Sequence, residues 1–111
     1  MTYNGWSNYE TWLFNLWFDD TFTEDALSEL DNAEPKYKWE DKKSCAICNL
    51  EEYIKDNFEE FLVGNDIPQS GFAADLWNAA VQEIDFYEIA KNYIDDVYDS
   101  WVKDQENVGN E

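Results

Sequence analysis

Between Ile47 and Leu62 the apolar side chains fall at Ile47, Leu50, Tyr53, Ile54, Phe58, Phe61 and Leu62. That is the three-to-four-residue spacing of one face of an α-helix. Glu51, Glu52, Asp56, Glu59 and Glu60 fall largely on the other side of the same helix. The pattern predicts a helix from Ser44 to Val63, with Gly64 as its C-terminal stop. No segment of the chain shows the two-residue alternation of a half-buried strand. The fold class is therefore expected to be all-α.

The same reading extends in both directions. Ser7 and Glu10 form an S-x-x-E capping box and predict a helix from Asn8 to about Asp20. Its apolar residues, including Trp12, Leu13, Phe14, Leu16 and Trp17, cover nearly every side, which predicts a central, buried position. Thr21 or Thr23 is expected to cap a short helix to about Leu30. Residues 32–43 carry four lysines against three acids and are expected to form an extended loop or short irregular hairpin. After a turn at 65–71, a helix is expected from Phe72 to Ile84 with Leu76, Trp77, Ala80 and Val81 inward. Asp85 and Glu88 give a second capping-box-like start. The last helix turns Phe86, Ile89, Ala90, Tyr93, Ile94, Val97 and Trp101 inward, and the residues after Lys103 are expected to fray as a tail. Four or five helices in one compact bundle over residues 1–103 is the resulting architecture.

Composition narrows the chemistry. The chain has 111 residues, enough for one core, and 20 of them are aromatic, enough to fill it. There is no His and no Arg, so histidine-dependent nucleophile triads and arginine clamps are excluded. Cys45 and Cys48 form a C-x-x-C, but a structural zinc site needs four ligands and the chain has only these two cysteines. No preceding strand places them in a thioredoxin-like unit, and they read as first-turn residues of a helix. No calcium loop of the D-x-[DN]-x-[DN]-G form is present. The expectation is no catalytic residue, no metal and no cofactor. No apolar run reaches membrane-spanning length, and the N-terminal residues lack a secretory pattern. Two cysteines in that setting predict free thiols in a reducing cytoplasm.

Charge is the remaining signal. Twenty-six acids against seven lysines give a net charge of −19. Residues 32–43 sum to +1, which leaves −20 on the rest. Solubility alone needs a magnitude of only ~2–8 in a small domain. Direct binding of nucleic acid is disfavoured, since phosphates are neutralised by Lys or Arg. Anionic membrane surfaces are disfavoured for the same reason. A compact chain of this length has an expected radius of gyration of ~13 Å, hence a diameter on the order of 34 Å. A duplex of that length carries about 20 charges, close to the −19 here. Acids one helical turn apart stand about 5–6 Å from each other. The charge thus points to imitation of DNA.

Asn4-Gly5-Trp6-Ser7-Asn8-Tyr9-Glu10-Thr11-Trp12 resembles the N-G-W-[ST]-N-Y-E-T-W opening of a family of small, poorly characterised proteins of phages, plasmids and other mobile elements. Ala73 to Ala80 and Glu83 to Ala90 resemble that family's second recurring block. The resemblance implies a helical fold and a mobile-element setting, and assigns no reaction. By analogy of context, small acidic proteins of such elements counter host defence by posing as DNA.

The expected function is therefore a DNA-mimic inhibitor that occupies the nucleic-acid-binding cleft of a host defence protein. A CRISPR effector is favoured over a restriction enzyme. The expected partner-binding carboxylates are Glu51, Glu52, Asp56, Glu59 and Glu60, followed by Glu88, Asp95, Asp96 and Asp99. A two-fold homodimer would lengthen the acidic strip. The alternative is a non-enzymatic interaction module of a mobile element that binds through exposed aromatics such as Trp6, Tyr37 or Trp39, its acidity serving solubility.

Overall fold

The computed structural model describes residues 4–35, 41–58 and 67–109, with the side chains of the last helix as far as Glu106. Among them every regular element is a helix: α1 (Tyr9–Phe18), α2 (Thr23–Asn32), α3 (Lys42–Asn57), α4 (Gly71–Glu83) and α5 (Phe86–Gly109). The all-α class follows from the apolar spacing, because each helix must bury one stripe against a neighbour.

The core is a three-helix unit of α2, α3 and α5. Leu30, Leu50, Ile54, Ile89 and Ile94 are fully buried in it, and each such side chain contributes about 1.5–3 kcal/mol by leaving water. α2 and α3 run antiparallel. Phe22 meets Tyr53 edge-on at 6.1 Å at one end, and the Lys42 ammonium donates to the Asp31 and Ala33 carbonyls at the other. α5 runs parallel to α2, since Phe22 meets Tyr93 and the Trp101 indole N–H donates to Asp31 at 2.7 Å.

α1 and α4 form a second, thinner layer at one end of this unit. Phe14 joins it to the core through Phe58 and Phe86, at 5.3 and 5.7 Å between ring centroids. Phe58 also stacks on Trp77 of α4. α1 is thus peripheral, contrary to the expectation from its all-round apolar character. Only Thr11 and Phe14 are buried, while Leu16 and Trp17 are exposed. The physical reason is that, among the described helices, α1 packs on α4 and α5 alone, with Phe58 as a further contact. α4 departs from expectation for the same reason. Ala74 is its buried residue, Trp77 and Val81 are half-buried, and Leu76 and Ala80 face solvent.

Several ends differ from those the sequence predicts. Asn8, not Ser7, caps α1, accepting the Thr11 N–H at 2.9 Å; Asn is as good an N-cap as Ser. Neither Thr21 nor Thr23 caps α2: Phe22 occupies that position and is buried instead. Asp41 caps α3 by accepting the Ser44 N–H at 2.7 Å, so Lys42 and Lys43 belong to the first turn of that helix rather than to a loop. α2 likewise reaches Asn32, which shortens the expected irregular segment from both ends. The helical backbone of α5 continues to Gly109, past Lys103 where the apolar pattern stops. The molecule extends 59 × 28 × 27 Å with a radius of gyration of 16.2 Å, longer than the ~13 Å expected of a spherical chain.

Candidate functional site

The nine-residue opening and the second block meet in space. Asn4 and Gly5 both take positive φ, 49° and 92°, a turn that Asn-Gly adopts with little strain. The turn delivers Ser7 to α5, where its N–H and hydroxyl both donate to Glu88 Oε1, at 3.0 and 2.9 Å. The Asn8 amide donates to the Glu83 carbonyl at 2.6 Å. Thr11 Oγ1 accepts the Asp85 N–H at 2.9 Å. Asp85 caps α5 by accepting the Glu88 N–H at 3.0 Å. Residues 74–81 apart in sequence thus form one polar clamp over the α4–α5 junction. Its hydrogen bonds tie the start of α1 to the end of α4 and the start of α5.

The clamp changes the standing of the acids singled out from sequence. Glu88 is engaged with Ser7. Asp95 pairs with Lys43 and Lys91, each at 2.8 Å, and hydrogen bonds from both cations hold its carboxyl below the usual range. The partner contact raises Lys43 in turn, and its ammonium also lies 4.8 Å from the Tyr98 ring centroid. Asp99 adds its charge to the Lys43 environment. Glu51 sits 3.7 Å from Lys55. Glu52, Asp56, Asp96 and Asp99 are exposed. Glu59 and Glu60 lie outside the described residues.

α2 supplies acids that the sequence reading passed over. Residues 19–34 hold Asp19, Asp20, Glu24, Asp25, Glu29, Asp31 and Glu34, with no lysine. Burial raises the Glu29 carboxyl, and the neighbouring Asp25 charge raises it further. Asp25 is also the main cause of the raised Tyr53 phenol, with a smaller contribution from Glu29. Tyr53 therefore sits beside the α2 acids. Glu52 and Asp56 are one helical turn apart on the same side of α3. Asp25 and Glu29 of α2 thus lie along the Tyr53 flank of α3, the helix that also exposes Glu52 and Asp56. On α5, Asp95 is held by Lys43 of α3. The signal was present in sequence as the i, i+4 like-charge pair Asp25 and Glu29, which opposes an isolated helix.

Cys45 is buried and Cys48 exposed in the first two turns of α3, and no disulfide joins them. Among the described residues, no three His, Cys, Asp or Glu side chains converge as a metal site. Trp6 is half-buried and packs on the core, whereas Tyr37 and Trp39 lie outside the described residues. Among the described residues the most exposed aromatics are Trp17 and Phe72, 74% and 79% accessible. Among the described residues, no helix is long and apolar enough to cross a membrane.

No curated protein and no solved structure matches the chain. A family model does match, over residues 1–101, a span that contains the polar clamp, α1 to α4 and α5 as far as Trp101. The chain therefore belongs to the family of unknown function DUF7249.

Proposed function

We propose that the protein is a DNA mimic, a non-enzymatic inhibitor that occupies the nucleic-acid-binding cleft of a basic host defence protein. The observation that carries this reading is the lysine-free acidic run of residues 19–34, whose Asp25 and Glu29 lie beside Tyr53 of α3, on a chain of net charge −19. Acids one turn apart on each helix, with helix axes some 8–10 Å apart, offer two lines of negative charge. A cleft built for two phosphate strands meets such a surface by the electrostatics it uses for DNA.

The length of the molecule alters the arithmetic behind the reading. A duplex as long as the 59 Å axis carries about 35 charges, so the chain has roughly half the line density of DNA. Mimicry then depends on a concentrated face, not on the whole envelope. The partner is a CRISPR effector in preference to a restriction enzyme, because a local face suits a short duplex-entry or motif-reading cleft. The setting is the host cytoplasm and a phage or plasmid origin, on the strength of the opening motif.

The test is capture from a host extract at low salt with the immobilised protein. The expected result is one or a few DNA-binding proteins, released by added duplex DNA and by moderate salt. Capture that ignores both competitors, or that yields no nucleic-acid-binding protein, overturns the proposal.

A further inference from the structure

Between α1 and α4 lies an open groove of ≈ 220 Å³. Leu13 and Trp17 form one wall, Trp77 and Ala80 the other, and Glu10 and Ile84 close one end. Glu10, Leu13 and Trp17 stand at i, i+3 and i+7, so the groove follows the helix axis for about 10 Å, two helical turns. Outside the walls the apolar surface continues on both helices through Leu16, Leu76 and Phe72, 58%, 54% and 79% accessible. Exposed apolar surface at this density marks a contact site in a chain otherwise so charged.

Its charge selects the occupant. Residues 4–35 and 67–90, which include both walls, contain no Lys, and the neighbouring cation is Lys55, in an adjoining hollow that shares Phe58, Val81 and Ile84. Among the described residues, Glu10 and Glu83 lie near one end of the groove and Asp19 and Asp20 beyond Trp17 at the other. A second copy of the chain would bring another −19 to this rim. The volume falls below the ~300–1,000 Å³ of a small-molecule pocket. What fits is a row of apolar anchors one or two turns long, flanked by cations.

We propose that the α1–α4 groove binds a basic amphipathic helix of a partner protein, with aliphatic anchors at i, i+3 or i+4 and i+7 in the groove and Lys or Arg against the acidic ends. This is the helix-in-groove mode of peptide recognition. It does not rest on DNA mimicry, because it uses neither the α2 nor the α3 carboxylates.

The test uses a synthetic Leu/Lys peptide with its leucines on one helical stripe and a peptide of the same composition with the leucines scattered. Both carry the same charge, so a difference between them reads the groove. The intact protein should prefer the striped peptide by about 10-fold, the scale of one anchor residue. Ala80→Glu and Trp17→Glu, both at exposed positions, should abolish that preference although each adds negative charge. Unchanged helical circular dichroism in the variants keeps the comparison valid, and either variant suffices. Equal binding of the two peptides, or an undiminished preference in a folded variant, overturns the proposal. So does light scattering that finds a dimer of the protein dissociated by Ala80→Glu, since the groove's occupant is then a second copy. Reversal of Asp25, Glu29, Glu52 and Asp56 should leave the striped-over-scattered ratio intact, which separates this proposal from the mimicry reading.

Discussion

Thr11 is the fully buried polar residue of α1, and its role rests on one atom. Its hydroxyl accepts the Asp85 N–H where α4 ends and α5 begins. Thr11→Val keeps the shape and removes the acceptor, leaving a shielded N–H without a partner. The expected loss is about 1–3 kcal/mol, read as a lower urea midpoint, while Thr11→Ser should retain most of the stability. Tyr93 makes a second such tie: its hydroxyl donates to the Phe18 carbonyl at the end of α1. Burial pushes its phenol up from 10.0 to about 12. Folding raises this pKa, so the neutral phenol's contribution is complete below the unfolded value. It is lost as pH climbs from about 10 toward about 12. Tyr93→Phe should remove the part of the alkaline stability loss that belongs to this window, seen in thermal melts across that range. The spacing of the last helix places Tyr93 inward but does not give the partner of its hydroxyl. A buried Thr on an aromatic-rich helix reads as polar surface until its partner, over seventy residues away, is known.

At the scale of elements, the helices themselves were legible and their ends and neighbours were less so. Apolar spacing located all five, because burial of one stripe is a local property of sequence. Caps depend on which of two adjacent polar residues the tertiary structure recruits elsewhere. Ser7 and Asn8 are both good N-caps, and the choice falls to Asn8 because Glu88 takes Ser7. Asn8→Ala should therefore cost α1 about 1 kcal/mol or more, since the Glu83 contact goes as well. Depth was misread for a related reason. The apolar surplus of α1 and α4 reads as burial, but those helices flank the core and turn part of the surplus outward. The acids were legible by type and not by partner. Asp95 follows the outward spacing of a surface acid, yet it is held by Lys43 from another helix. Asp25 and Glu29 gain their place from Tyr53 and α3, which no local pattern reveals.

For the whole molecule, the excess of acids opposes folding and favours association with a basic partner. Both effects are Coulombic and exposed, so salt acts on them in opposite senses. Raising sodium chloride from low to physiological strength should raise the melting temperature by screening self-repulsion, and should weaken binding of the captured partner. A fall in melting temperature would mean that ion pairs such as Lys43–Asp95 outweigh the repulsion. The most direct measurement compares two variants of equal charge for affinity to that partner. One carries Asp25→Asn, Glu29→Gln, Glu52→Gln and Asp56→Asn; the other carries Asp75→Asn, Glu83→Gln, Asp104→Asn and Glu106→Gln. At about 0.7 kcal/mol for each exposed contact, the first should bind about 100-fold more weakly. The second should stay within about threefold of the unaltered protein, as long-range charge alone is largely screened. Equal losses in both variants, or none in the first, would contradict a defined DNA-mimicking face on α2 and α3.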